Sequence, residues 1–251
     1  MANHLSTIGF NVRSDREFRS LIDATIPDSI NFFVRHGAYL RWRGTGGEEL
    51  WLQVSEDGQL LGLQPHFAGN ATMRVRLDSR IERDSHPALD GAFYSWAFFD
   101  GHDGETVYPF VFDSPDSGRF DEIRFPSVAH VQLAAFAHEV EFHRSPEVFE
   151  ARQGGESLKF ATRSFIPSGL FSVDGGSTEP PGAMAILTGH VREAATRTNE
   201  RTGERFHWAL VDSLGGLFDV VIDPELLPDL PAPGGVIGGQ FWLSGRILSI
   251  G

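Results

Sequence analysis

The chain has 251 residues, of which 41% are hydrophobic, as in an ordinary folded protein. It contains no cysteine, which excludes disulfides, thiolate metal sites, iron–sulfur clusters and a cysteine nucleophile. Its formal net charge of −13 repels phosphate backbones and anionic lipid headgroups, so we expect neither a nucleic-acid partner nor a membrane partner.

The N-terminus favours a cytoplasmic protein. Its first residues, Met-Ala-Asn-His-Leu-Ser, lack the basic and apolar regions of a signal peptide. No stretch approaches the roughly 18 uninterrupted apolar residues that a membrane span needs. A chain of this length can hold two domains. Residues 174–182, DGGSTEPPG, are rich in glycine and proline and are predicted to be a linker between residues 1–173 and residues 183–251.

The first segment is predicted to form a strand, a helix and three further strands. Apolar residues alternate over residues 4–12, as in a half-buried strand. Ser14 and Glu17 have the spacing of a capping box, so a helix should begin there and end near Pro27. Three strands are then predicted over residues 38–43, 49–55 and 59–64, with a hairpin turn at Asp57-Gly58.

The remaining chain is predicted to be β-rich. Strands are predicted over 73–77, 92–99, 106–112, 128–143 and 158–165, with a turn of helix at 147–152. In the last segment, a long strand over 183–193 contains Gly189, which indicates a bend or bulge. A hairpin over 206–222, a helical turn over 223–228 and strands over 236–237 and 240–248 complete it.

Residues 4–64 resemble one βαβββ module of the vicinal oxygen chelate (glyoxalase-like) families. The resemblance rests on the element order and on the helix start Ser14-Asp15-Arg16-Glu17-Phe18. It implies a cupped sheet, which in those families often holds a metal through His, Glu or Gln. The chain departs from the pattern after about residue 70, where no second helix is predicted.

His4 is the residue that the resemblance offers as a metal ligand, and strand parity argues against it. In a regular strand, His4 shares its face with Ile8, Phe10 and Val12, so it points away from the cup. The ligand position would fall on Thr7. We therefore expect no metal and no cofactor, and we expect His4 to be an exposed or capping histidine.

The polar face of the predicted β-strands is the candidate ligand site. An aromatic residue, two arginines and a carboxylate could hold a small polar or anionic ligand there. The alternative is a solvated or protein-covered face in which arginine and glutamate pair across strands. The candidate residues are Tyr39, Arg41, Arg43, Glu49, Trp51 and Gln53.

Residues 183–250 resemble a small OB-type barrel: a long bent strand, a hairpin, a short helical connection and closing strands. Many OB domains bind single-stranded nucleic acid through basic and aromatic residues. This segment has five arginines against eight acidic residues, a net charge of −3. We therefore expect it to serve packing or protein contact.

The pair His138 and His143 is spaced one residue too far apart for the zinc motif HExxH. The two rings would point to different faces of a helix or a strand. His130, Gln132 and His138 share a face of a regular strand, but His130 and His138 would lie roughly 26 Å apart.

The expected fold is α+β and mostly β, a glyoxalase-like antiparallel sheet domain followed by a small OB-like β-barrel. The preferred function is a non-catalytic module that binds a small ligand or assembles with a protein partner, and a homo-oligomer is compatible with it. A metal-dependent enzyme of the vicinal oxygen chelate type is one alternative. Single-stranded nucleic-acid binding is another, which the charge disfavours. On the preferred reading, Trp51→Ala and Arg41→Ala should leave folding intact and weaken ligand binding.

Overall fold

The computed structural model describes residues 3–81, 83, 87–98, 105–154, 159–168, 170 and 181–251. The protein is mostly β, as expected. The described part contains two α-helices, α1 (Asp15–Thr25) and α2 (Pro146–Arg152). Its first strands are β1 (Ile30–Val34), β2 (Gly37–Arg43), β3 (Glu48–Val54), β4 (Leu60–Phe67), β5 (Thr72–Ile81), β6 (Ala92–Phe98) and β7 (Thr106–Asp113). The remaining strands are β8 (Ser127–His143), β9 (Ser164–Ser168), β10 (Met184–Thr198), β11 (Arg205–Ser213), β12 (Gly216–Ile222) and β13 (Val236–Ile250).

The prediction of a strand over residues 4–12 is wrong. A 3-10 helix occupies Ser6–Ile8 instead. The Asn3 side chain accepts hydrogen bonds from the amides of Leu5 and Ser6, and such local bonds compete with strand pairing. Ile8 nevertheless packs in the same buried cluster as apolar residues of α1.

Helix α1 begins as predicted. The Ser14 side chain accepts a hydrogen bond from the Glu17 amide, 3.3 Å away. The Glu17 carboxylate in turn accepts one from the Arg13 amide. The amides of Arg13 and Glu17, which have no acceptor within the helix, are thereby hydrogen-bonded. Pro27 lies in the short 3-10 helix that follows α1.

The four-stranded sheet is antiparallel and has the order β1-β2-β3-β4. One face carries Trp42, Leu50 and Leu52, which pack with Leu21 and Ile22 of α1. The other face turns toward the second sheet. Strand β1 is not among the predicted elements. It is an edge strand, since within the described residues it pairs with β2 alone.

The nine-stranded sheet closes on itself twice. Its order is β11-β12-β8-β5-β6-β7-β13-β10-β9, and β10–β11 and β8–β13 pair in addition. Strands β8 and β13 run antiparallel along almost their whole length and belong to both closed rings. One ring is β8-β5-β6-β7-β13, and the other is β8-β12-β11-β10-β13.

The two predicted domains share this sheet. Strand β13 comes after the predicted linker, yet it pairs with β7 and β8, which come before it. Residues 174–180 of that linker lie outside the described residues, as does Leu158 at the start of a predicted strand. The division into residues 1–173 and 183–251 therefore stays a prediction. Within the described residues, no helix has the length and apolar character of a membrane span.

Candidate functional site

The six candidate residues lie together on one face of the small sheet, as strand parity predicted. They form three cross-strand pairs, Tyr39 with Gln53, Arg41 with Trp51, and Arg43 with Glu49. This face packs against the nine-stranded sheet, and Tyr39, Glu49 and Trp51 have no solvent exposure. Gln53 is buried as well, whereas the side chain of Arg43 is half exposed.

Glu49 is the centre of this buried face. Guanidinium nitrogens of Arg41 and Arg43 lie 3.8 Å from its Oε1, and one of Arg246 lies 3.9 Å from its Oε2. The indole Nε1 of Trp51 donates a hydrogen bond of 2.8 Å to Oε2. Burial raises the pKa of Glu49, while the charge of Arg246 opposes that rise. A buried carboxylate with three cations around it is compensated within the protein.

Tyr39 and Trp51 are covered by protein atoms. The Tyr39 hydroxyl donates to the carbonyl of Leu89 at 2.6 Å and accepts from the amide of Gly118 at 2.8 Å. The Arg246 guanidinium lies 4.6 Å from the centre of the Trp51 ring. The structure thus brings the six residues together but surrounds their aromatic members with protein. Ligand binding by this set stays a prediction.

A chain of hydrogen bonds runs through the buried layer beside Glu49. The Ser244 hydroxyl contacts His66 Nδ1 at 2.8 Å, and His66 Nε2 contacts Gln132 Oε1 at 2.7 Å. Gln132 Nε2 then donates to Asp219 Oδ2 at 3.0 Å. Because an amide oxygen only accepts, His66 carries its hydrogen on Nε2 and accepts from Ser244 on Nδ1. A neutral imidazole ring can therefore make both hydrogen bonds, accepting from Ser244 and donating to Gln132.

His66 should make the stability of the protein fall in acid. Burial, and then the charge of Arg246, lower its pKa to about 3. The unfolded chain has a histidine pKa of about 6.5, so below that pH the unfolded state binds a proton that the native state does not. This contribution is complete above about pH 6.5 and is lost as the pH falls toward about 3. The expected slope is up to about 1.4 kcal/mol per pH unit.

The measurement is urea unfolding of the wild type and of His66→Gln between about pH 6 and about pH 4.5. The free energy of unfolding should fall more steeply with decreasing pH for the wild type than for His66→Gln. The difference should correspond to the uptake of up to one proton on unfolding. Equal slopes for the wild type and His66→Gln would contradict a neutral, buried His66.

His4 and His138 are in direct contact, which the sequence did not predict. Their Nε2 atoms are 2.7 Å apart, and the His4 ring stacks on Trp242 with ring centres 4.0 Å apart. Burial, and then the proximity of His138, lower the pKa of His4 to about 4. The expectation that His4 is an exposed or capping residue is therefore wrong. His143 lies away from this contact, beside Glu141.

The edge of β1 adjoins a groove. The groove has a volume of about 690 Å³, and Phe33 and Ile250 contribute apolar surface to it. Phe33 is 83% exposed, and Ile30 on the same strand is 57% exposed. Such apolar exposure on an unpaired strand edge is typical of an interaction surface.

The other residues of the groove lie at the end of β1, on the β1–β2 turn, on the segment between β7 and β8, and at the start of β8. None of the six candidate residues is among them. They are Val34, Arg35, Gly118, Arg119, Phe120, Asp121, Glu122, Ile123, Arg124 and Ser127.

The sequence did contain a signal for this surface. Residues 30–34, Ile-Asn-Phe-Phe-Val, form a short apolar run between Pro27 and Gly37, which is typical of a strand. No comparable signal exists for the contact of His4 with His138, because it joins residues that are distant in the chain.

Comparisons with protein-family models, with curated proteins and with solved structures found no match for this chain.

Proposed function

We propose that this protein is a non-catalytic assembly module that pairs with a second copy of itself through the free edge of β1. The observation that carries the proposal is Phe33, an aromatic residue 83% exposed on a strand whose outer edge pairs with no strand in the described part of the chain. Ile26, in the 3-10 helix that precedes β1, is also exposed, at 45%. Unpaired backbone groups and exposed apolar side chains together favour strand addition.

Antiparallel pairing about a two-fold axis at Phe32 suits the charges that flank β1. It sets Phe33 opposite Asn31 of the partner subunit. It also sets Arg35 opposite Ser29 of the partner subunit, and His36 opposite Asp28 of the partner subunit. Within one copy, Arg35 has no ion-pair partner among the described residues. Asp28 pairs with Arg201 at 2.9 Å, but its side chain is 65% exposed and keeps a carboxylate oxygen for a second cation. The charges at the two ends of β1 are therefore complementary between copies.

The pairing would join two four-stranded sheets into one continuous sheet. Strand β1 has five residues, so the contact is short. A contact of this size lies at the small end of stable interfaces, so we expect a dissociation constant on the order of micromolar.

The polar layer of the protein supports a binding role rather than a catalytic one. Its titratable groups with shifted pKa values include Glu49, His66 and Asp219, and each is buried with protein partners. None of them lines the groove beside β1. This arrangement is that of a structural network that fixes the packing of the two sheets.

On the finer fold, we propose that the ring β8-β12-β11-β10-β13 is an OB-type barrel whose fifth strand, β8, comes from the first segment. The support is a closed five-stranded ring with a long first strand and a bulge between Val191 and Glu193. The glyoxalase-like resemblance keeps weaker support, from α1 followed by antiparallel strands.

The test is sedimentation velocity of the wild type and Phe33→Asp over about a hundredfold range of concentration. The wild type should pass from monomer to dimer with rising concentration, and Phe33→Asp should remain a monomer because a carboxylate would be buried in the interface. Ile166→Asp is the matched control: Ile166 is 43% exposed on the edge strand β9 of the other sheet. A monomeric wild type, or a dimer that Ile166→Asp abolishes and Phe33→Asp retains, would contradict the proposal.

A further inference from the structure

His4 and His138 bring two imidazole nitrogens together. Their Nε2 atoms are 2.7 Å apart although 134 residues separate them in the chain. Only one hydrogen can lie between the two nitrogens, so the other nitrogen already presents a lone pair. When that hydrogen moves to Nδ1 of its own ring, both lone pairs converge. Such convergence of imidazole nitrogens is what a transition-metal ion requires.

The His4 ring is held in place before any ion binds. It stacks on the Trp242 indole at 4.0 Å with an angle of 8° between the planes, and it meets the edge of Phe136 at 6.2 Å. The carbonyl of His4 accepts a hydrogen bond from the Thr7 hydroxyl, which fixes the backbone. A ligand whose orientation is set by its neighbours loses little freedom on binding.

His138 supplies the open side of the site. The β8–β13 register shifts at this point, since Glu139 pairs with Gln240 and Ala137 pairs with Phe241, and His138 is the extra residue. Its side chain is exposed, so water can reach an ion bound there. The Glu139 carboxylate is held beside it by a hydrogen bond from Gln240 Nε2 at 2.9 Å.

We propose that His4 and His138 bind one divalent transition-metal ion, of the class of Zn²⁺, Cu²⁺ or Ni²⁺, through their Nε2 atoms, with water completing the coordination. Metal–nitrogen bonds of about 2.0–2.1 Å place two ligand nitrogens roughly 2.9–3.4 Å apart, so the rings must separate by less than about 1 Å. The exposed His138 side chain can make that movement. No group of three or more histidine, aspartate or glutamate side chains suited to a metal occurs in the described part of the chain, so an affinity on the order of micromolar is expected.

The ion would tie the N-terminal segment to β8. Residues 3–10 contact the barrel through Ile8 and Phe10, which share a buried cluster with Phe206 and Trp208. A bond between His4 and His138 through the metal adds a second attachment for that segment. Metal binding should therefore stabilise the folded protein, because the unfolded chain does not hold the two histidines together.

The experiment is calorimetric titration of the untagged wild-type protein with Zn²⁺, and then Ni²⁺, near neutral pH. We expect one equivalent to bind. His138→Ala should weaken binding at least tenfold, and saturating Zn²⁺ should raise the Tm of the wild type but not of this variant. The control is His130→Ala, because His130 lies on the same strand, is exposed, and contacts Ser249 rather than His4.

His4→Ala should weaken binding to the same extent as His138→Ala, and the double variant should be no weaker than either single variant. His4→Ala can also lower the stability of the metal-free protein, because His4 packs on Trp242. His138→Ala removes only an exposed side chain, so it carries the test. Absence of a binding heat for the wild type, or equal affinity of the wild type and His138→Ala, would overturn the proposal.

Discussion

Trp51→Ala is expected to lower the free energy of unfolding by about 3–5 kcal/mol. The side chain has no solvent exposure and contacts Phe32, with ring centres 5.5 Å apart, as well as the Arg246 guanidinium. Its removal leaves a cavity between the two sheets. It also deprives Glu49 of the donor at 2.8 Å, so a buried carboxylate loses its hydrogen bond.

Urea unfolding, followed by circular dichroism, measures this loss. Phe33→Ala is the matched control, because it also truncates an aromatic side chain of the same sheet, but one that is 83% exposed. At low protein concentration, Phe33→Ala should change the free energy of unfolding by no more than about 0.5 kcal/mol. A loss below about 1 kcal/mol for Trp51→Ala would mean that the face is open rather than covered. That result would restore the expectation from the sequence that this variant folds normally.

Asp219→Ala is expected to lower the free energy of unfolding by about 4 kcal/mol or more, because four donors, three of them buried, lose their acceptor. The Asp219 carboxylate accepts hydrogen bonds from Trp208 Nε1 at 2.8 Å and Gln132 Nε2 at 3.0 Å. The amides of Ala71 and Asn70 donate to it at 2.8 Å and 3.2 Å. The residue thus holds the chain between β4 and β5 against β12 of the nine-stranded sheet.

Asp219→Asn separates the role of charge from that of hydrogen bonding. Burial raises the pKa of Asp219, and the four donors oppose that rise. The amide keeps one acceptor oxygen and carries no charge, so we expect a smaller loss than for alanine. Asp229→Ala, at an exposed position, should be neutral within about 0.5 kcal/mol. Equal stability of Asp219→Ala and the wild type would show that the four donors find other partners.

The space for this carboxylate is provided by Gly69. A Cβ atom at that position would lie 2.1 Å from Asp219 Cγ. The sequence shows the glycine but cannot show which side chain fills its place, because Asp219 is 150 positions away. Interactions of this kind are outside the reach of local patterns.

Local signals in the sequence predicted the local structure well. The Ser14 cap predicted α1, and the Asp57-Gly58 turn predicted the β3–β4 hairpin, where Gly58 has a φ of 83°. Alternation also predicted which residues of β2 and β3 share a face. It could not predict what covers that face, because the covering residues, such as Arg246, come from distant strands.

Of the remaining errors, one arises from local hydrogen bonds and the other from distant strand partners. Alternation of apolar residues at 4–12 is real, but the side chains of Asn3 and Thr7 stabilise a 3-10 turn there. The long strand β8 was predicted, yet its pairing with β13 along both rings was not. Strand pairing between distant segments depends on packing rather than on local propensity.

The most direct test of assembly through β1 is amide hydrogen exchange at two protein concentrations, one well below and one well above the expected dissociation constant. The amides of Ile30–Val34 that do not bond to β2 should exchange more slowly at the high concentration, because a second copy accepts their hydrogen bonds. The edge strand β9 should show no change. Identical exchange of β1 at both concentrations, or protection gained at β9 instead, would contradict the proposal.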